Sequence, residues 1–461
     1  MKKLRRFPRN KFVITACLLY LSQANFAYCA TYEVSPGADA DCSDGNCNFQ
    51  AALDASLLNN GSGNTIRLAQ GEYTGNFTYF PSGNNIGDLE ILGGWNADFS
   101  SRTLAPANTI LNGGQSGTVL NLKLEDPGNS AVIGGNLKLE GVTVKNGNAF
   151  IGGGLIAFTA APYRIDILNC IIESNHADNA AGGFAVGVYD WASDDSNGSL
   201  YMINNIIRNN DVSETGATDG SGGGGSIFVN GLAVINNNLV YGNTVGNDQL
   251  QNGRSGGLDI DILAGDLYLI NNTITSNQLT GQATSKASGG GIAVNVKTPG
   301  AGDPVAWAPG HAYLYNNIIY GNTVVTDDSL GGDIANLVRN NTAIVAGSSF
   351  IISNSNYLNL WSETDAVSPT LTDNVFTDPL LSANTSTLYQ LTNSSPCIDT
   401  GLNSAPNLPT SDLAGNYRIW DGNADGSKIV DMGCFEYGSQ QSTESAFSWN
   451  MFLPAIITSK K

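Results

Sequence analysis

Three features predict an all-β chain wound as a parallel β-helix, with a short capping helix before it and a small β module after it. Segments ending at Asn175, Asn210, Asn243, Asn277 and Asn322 repeat one plan at spacings of 35, 33, 34 and 45 residues. Within each copy Ile, Val, Tyr and Thr alternate with polar residues at period two, which is the pattern of a strand. Glycine clusters punctuate every copy and paired asparagines all but the first, where Cys170 follows Asn169, and both would break helices of useful length. Short strands at a fixed repeat, with no long helical run between them, stack coil on coil at about 4.8 Å, the strand spacing of any sheet.

The elements follow in chain order. Residues 1–30 open with a basic stretch (Lys2, Lys3, Arg5, Arg6, Arg9, Lys11) and continue with the apolar run Phe12 to Ser22. This is the layout of a secretory signal peptide, and the run is too short to cross a membrane. Removing it leaves 15 basic residues against 40 acidic ones, a net charge of −25. Such a surface repels nucleic acid and anionic membranes, and it suits neutral glycans. Residues 31–130 make an N-terminal cap and the first irregular coils. There Asn48 to Asn60 reads as a short amphipathic helix with Asn48 as its N-cap, placed to cover the strand edges of the first coil. Residues 131–360 hold the regular coils, 361–438 a C-terminal module, and 439–461 a tail too short to span a bilayer. No long set of alternating amphipathic strands follows the repeats, so export relies on other machinery.

The paired asparagines have a structural explanation. Their first members, Asn169, Asn204, Asn237, Asn271 and Asn316, fall at one position of the repeat, where the chain bends between strands. Asparagine tolerates the left-handed backbone of such a bend, and its amide can bond the amide one coil away. The second column reads Cys170, Asn205, Asn238, Asn272 and Asn317. In an oxidising compartment Cys42 and Cys47 are expected to bridge, as are Cys397 and Cys434, leaving Cys170 as a buried, inert thiol.

The glycine cluster with a following aliphatic residue, and the endings Ile172-Glu-Ser-Asn175, Ile207-Arg-Asn-Asn210, Val240-Tyr-Gly-Asn243, Ile274-Thr-Ser-Asn277 and Ile319-Tyr-Gly-Asn322, resemble the repeated motifs of bacterial polymorphic outer-membrane proteins. Those proteins usually carry Phe where this chain has Ile or Val. The resemblance covers about residues 134–356 and implies a right-handed β-helix, secreted or displayed on the surface of a Gram-negative cell, without carrying over an activity. At the far end "SPCIDTG", "DLAGNYR", "DGNADG" and "VDMGCFEY" resemble, in order, a small surface-display (choice-of-anchor-type) module that follows β-helices in secreted bacterial proteins.

Two functional classes follow from this. The first is a monomeric binding or adhesion protein, its partner a glycan or another cell-surface component, with no catalytic residue. The candidate face is Phe228, Asn230, Asp259, Asp261 and Asn295, where Asp259 and Asp261 are expected to project outward from one strand. The alternative is a lyase or glycoside hydrolase acting on a bacterial or plant polysaccharide. A lyase needs carboxylates to hold a cation and a nearby base, for which Arg254 and Lys297 are the nearest candidates by sequence. His176 and His311 fall at different positions of the coil and make no constellation. A calcium loop is the one cofactor site the sequence suggests. Asp421, Asn423 and Asp425 occupy its first, third and fifth positions, Gly426 the sharp turn, and the Ser427 carbonyl the backbone ligand. Position twelve is Met432, so Asp431 or Glu436 would have to close the site.

Overall fold

The computed structural model describes residues 30–43, 46–59, 63–81, 87–124, 134–188, 197–213, 219–246, 252–280, 288–296, 309–325, 332–337, 348–363 and 365–441. Residues 1–29 of the segment expected as a signal peptide, the tail from 442 onward and Lys297 lie outside these, whereas Ala30 begins the first strand. The chain is a parallel β-helix. Each coil presents four walls, built from strands that pair in parallel with the same strand one coil away.

The first wall begins at the glycine cluster and includes Leu155–Thr159, Phe184–Val188 and Ile292–Val296. The second includes Arg164–Leu168, Gly198–Ile203, Gly310–Tyr315 and Ser349–Ser353. Two long strands, Gly225–Asn236 and Leu258–Ile270, run through both walls, and their mutual register shifts between Val229 and Asn230. Gly265 follows that shift with φ +88, and a Cβ there would collide with the Gly231 carbonyl, so only glycine fits. The third wall stacks short strands such as Ile171–Glu173, Ile206–Arg208 and Leu239–Tyr241. The fourth stacks His176–Ala180, Thr244–Gly246 and Gln278–Thr280.

Inward-facing Ile, Leu and Val from every coil make one continuous core. The N-terminal end is closed as expected. The helix is Phe49–Leu58, the Asn48 side chain caps it by accepting from the Ala51 N–H at 2.9 Å, and Phe49, Ala52 and Leu53 enter the core.

Both asparagine columns form. Asn169, Asn204, Asn237, Asn271 and Asn316 all have left-handed φ between 52 and 58, at the bend between the second and third walls. The second column lies inside. Cys170, Asn205, Asn238 and Asn272 each donate their backbone N–H to the side-chain oxygen of the next coil, at 2.9–3.0 Å. The series ends where Asn317 donates to the Ser355 hydroxyl. A third ladder, Asn175, Asn210, Asn243, Asn277 and Asn322, is made by the asparagines that end each copy, and Asp333 terminates it. These bonds satisfy backbone groups that the bends would otherwise leave buried and unpaired.

The C-terminal segment lies back along the bend that carries the first asparagine column. Asn237 donates to the Ser411 carbonyl at 2.6 Å, and Asn271 donates to the carbonyls of Asp431 and Gly433 at 2.8 and 3.1 Å. Asn316 donates to Leu402 O at 3.2 Å, and Asn354 to Thr400 O at 3.2 Å. Amide-to-amide contacts persist in this column, at 3.1 Å from Asn237 to Asn204 and 3.3 Å from Asn316 to Asn271. The column is therefore both a stack and the docking edge of the module. Pro369–Thr372, within the range expected for the module, still pairs in parallel with Phe350–Ser353 of the second wall, and beyond it one antiparallel pair, Ile419–Trp420 with Ile429–Val430, is the only sheet among the described residues.

Cys42 and Cys47 form the expected disulfide. Cys397 and Cys434 do not: both are free and buried. Cys397 packs with Ile318, Leu391 and Met432, whereas Cys434 packs with Ile206, Leu239 and Leu413. Gly433, at φ +90, turns the chain between Met432 and Cys434, so the thiols seat over different coils. Cys170 is a free, fully buried thiol, with burial pushing its pKa up to about 12.

Candidate functional site

The expected glycan face lies on the outer side of the first wall, and the structure corrects it in two respects. The first is register. Asp259 pairs with Ser226 and Ala293, and Asp261 pairs with Phe228 and Asn295, while Asn230 pairs with Ala264 beyond the irregularity. The second is exposure. Asp259, Asp261, Asn230 and Asn295 are each at most 2% exposed, and Phe228 alone of the five reaches solvent in part. Asn295 donates to Asp261 Oδ1 at 2.9 Å, which gives that carboxylate a partner one coil away. Phe184–Val188 and Ile292–Val296 are buried at every position, so this wall is covered on both sides. Period two puts Asp259 and Asp261 outward, as the sequence indicates, but facing away from the core is not the same as facing water.

The second wall behaves differently. In Gly198–Ile203 and Gly310–Tyr315 every second residue is buried and every other one partly exposed, the signature of a sheet with one solvated face. Parallel register lines up Asp166, Tyr201, Val234, Tyr268, Tyr313 and Ile351 in one outward column, which the buried Val234 interrupts between Tyr201 and Tyr268. Tyr268 and Tyr313 stack with ring centroids 5.0 Å apart at 16°, and Tyr315 lies parallel to Tyr313 at 6.4 Å and 6°. His311 flanks Tyr313 at 6.1 Å and bonds the Ser349 hydroxyl at 2.9 Å. At the other end Arg164 lies over the Tyr201 ring at 3.9 Å and pairs with Asp166 at 2.7 Å. Burial raises the pKa of Tyr268 and Tyr315, so their phenols stay protonated donors. The result is a strip of aromatic edges and hydroxyls running along the helix axis, flanked by imidazole, guanidinium and carboxylate. The sequence carried a signal for it. "SLYMINN", "DLYLINN" and "HAYLYNN" place tyrosine at matching positions of three copies.

The segment from Asp421 to Ser427 is a turn whose side-chain oxygens take its own backbone N–H groups. Asp421 accepts the N–H groups of Asp425 and Gly426 at 3.1 and 3.0 Å, Asn423 accepts that of Asp425 at 2.9 Å, and Asp425 that of Ser427 at 2.8 Å. Carboxylate oxygens keep spare lone pairs after one such bond, so Asp421, Asn423 and Asp425 retain the donor chemistry for a hard cation. Asp431 does not close the loop. It is fully buried and accepts the Asp399 and Tyr437 N–H groups at 2.7 and 2.6 Å. Asp399, which the sequence did not single out, supports the loop from beneath by accepting from the Gly422 and Asn423 N–H groups. Among the described residues no group of three or more His, Cys, Asp or Glu side chains is placed to hold a metal ion.

The His176 ring sits between Asp211 at 2.7 Å and Asp178 at 3.2 Å, one carboxylate on each nitrogen. The two carboxylates therefore hold the ring from opposite sides without converging on a common point.

No family model matches this sequence, and no curated protein matches it. A solved structure of pectate lyase Pel9A is similar at 14% identity with a TM-score of 0.38, covering 88% of this chain and 96% of that one. A likeness this remote says nothing of activity, and the architecture rests on the strand pairing itself. Among the described residues no helix is long and apolar enough to cross a membrane.

Proposed function

We propose that this protein is an extracellular, surface-displayed β-helix that binds glycan along the open second wall and does no chemistry on it. The tyrosine strip carries the reading. Tyrosine offers a rigid apolar edge and a hydroxyl together, which suits a ligand made of C–H patches and hydroxyl groups. Tyr268, Tyr313 and Tyr315 give a continuous contact over two adjacent coils, enough to seat a short stretch of a linear chain. The acidic surface favours a neutral glycan over a uronate polymer. The signal-peptide layout and the resemblances to outer-membrane repeats and a display module support export. Calcium belongs to this proposal as a supporting ion, held by the Asp421, Asn423 and Asp425 side chains and the Ser427 carbonyl. For the lyase or hydrolase alternative, Asp259 and Asp261 are buried, while Asp190, Asp194 and Asp195, the carboxylates the sequence places in a nearby loop, lie outside the described residues. Affinity electrophoresis in gels cast with soluble neutral glycans tests the proposal. Tyr313→Ala and Tyr268→Ala should each weaken retention roughly ten-fold, the effect of about 1.4 kcal/mol, with melting behaviour preserved. Retention unchanged in both variants would remove the strip from consideration.

A further inference from the structure

On the outer side of the third wall a lysine and an asparagine meet on one carboxylate oxygen. The strands involved, Gly71–Thr74, Thr109–Asn112 and Thr143–Lys145, are successive rungs of that wall. Parallel register sets Lys145 directly opposite Asn112, one strand spacing of about 4.8 Å away, and both fall at outward positions of their strands. Asn112 donates its amide to Glu72 Oε1, and Lys145 Nζ lies 4.0 Å from the same oxygen. The Asn112 side-chain oxygen is held separately. It accepts the Gly114 N–H at 3.1 Å and the Asn146 amide at 3.0 Å. On its other side Lys145 is in register with Glu173, but that carboxylate is engaged by Arg208 at 2.5 Å. Lys145 is therefore left to Glu72 and Asn112, with its side chain 24% exposed.

An amine, a carboxamide with two donors on its oxygen, and a carboxylate beside both nitrogens are the parts that amide exchange between side chains requires. We propose that Lys145 and Asn112 join in an isopeptide bond that ties their two coils together, with Glu72 moving the protons. Glu72 takes a proton from the Lys145 ammonium, and the amine attacks Asn112 Cγ to form the new C–N bond. Charge developing on the carbonyl oxygen is met by the Gly114 N–H and the Asn146 amide. The Asn112 Cγ–Nδ2 bond then breaks. Its nitrogen receives the proton from Glu72 and a second proton from the attacking amine, and leaves as ammonium. One alkylammonium and one carboxamide thus become one secondary amide and one ammonium ion, with Glu72 regenerated and no co-reactant. Only the uncharged amine attacks, so the reaction quickens as pH rises toward the lysine range, about 10. The cross-link fixes the first irregular coils to the regular ones and, like a disulfide, restricts the unfolded chain. It is independent of the glycan reading.

Intact-mass spectrometry of the full mature protein, fresh and after incubation at mildly alkaline pH, tests this. The reduced protein should come to weigh one ammonia less than its sequence, and peptide mapping should find a branched peptide joining Asn112 to Lys145. Lys145→Arg should keep the full mass and melt at a lower temperature than the cross-linked wild type. Glu72→Gln should slow the loss roughly a hundred-fold, the worth of a positioned acid–base group. Asn146→Gly, which keeps the left-handed backbone at φ 58 but removes the donor, should slow it several-fold. The Asn112-Gly113 pair offers a competing route, because the Gly113 nitrogen can attack the same carbon and expel ammonia as a succinimide. Ammonia loss that persists in Lys145→Arg would therefore overturn the proposal, as would full mass in the wild type after alkaline incubation.

Discussion

Asn272 shows how much one side chain does in this fold. Its oxygen accepts from the Asn238 backbone and amide at 2.9 Å each, and its amide donates to the carbonyls of Ile235 and Ile270 and to Asn317. Every partner is buried, so Asn272→Leu would leave several groups unpaired at about 1–3 kcal/mol each. We expect chemical denaturation of Asn272→Leu to show a loss larger than that of Asn204→Leu, whose side-chain amide donates to Asn169, accepts from Asn237 and is part-exposed. Equal losses would mean the inner ladder has no special weight. The ladders were legible because their asparagines recur at fixed spacing. Asp333 and Ser355, which terminate them, were not, since each occurs once and outside the repeat.

At the scale of the element, sequence pattern found strands well and their surroundings poorly. Alternation at period two gave both walls correctly. It could not say that the outer side of the first wall is buried while that of the second is partly open, because alternation records which side a residue faces and not what lies over it. The same limit explains the misread cysteines. Cys397 and Cys434 bracket one segment in sequence, yet they seat over different coils. The loop from Asp421 to Ser427 is preformed by its own amides, with Asp399 beneath it. If Ca²⁺ binds there, adding it at several times a dissociation constant of about 10⁻⁴–10⁻³ M should raise the melting temperature. Asp425→Ala should abolish the rise, and an identical rise in that variant would place the ion elsewhere.

For the whole molecule, the C-terminal module is part of the helix flank, joined through Asn237, Asn271 and Asn316, and not an appendage at its end. Its buried charges make this joint sensitive to pH. Burial lifts Asp431 to about 7 and Glu436 to about 9, with Asp399, Asp412 and Arg418 facing them. Carboxyls with raised folded pKa bind more protons folded than unfolded between about pH 4 and 9, so stability falls as pH rises through that window. The melting temperature should therefore be higher at pH 5 than at pH 9, and Glu436→Gln should flatten the difference. A wild-type melt that rises with pH would contradict the assignment.

Binding without turnover on the second wall can be checked by incubating purified protein with immobilised neutral and uronate-containing glycans and following retention and released fragments together. Retention on a neutral glycan is expected, lost in Tyr268→Ala and Tyr313→Ala, with no unsaturated or reducing-end product at any time. Accumulating product that survives both tyrosine variants and disappears in Asp259→Asn or Asp261→Asn would contradict it.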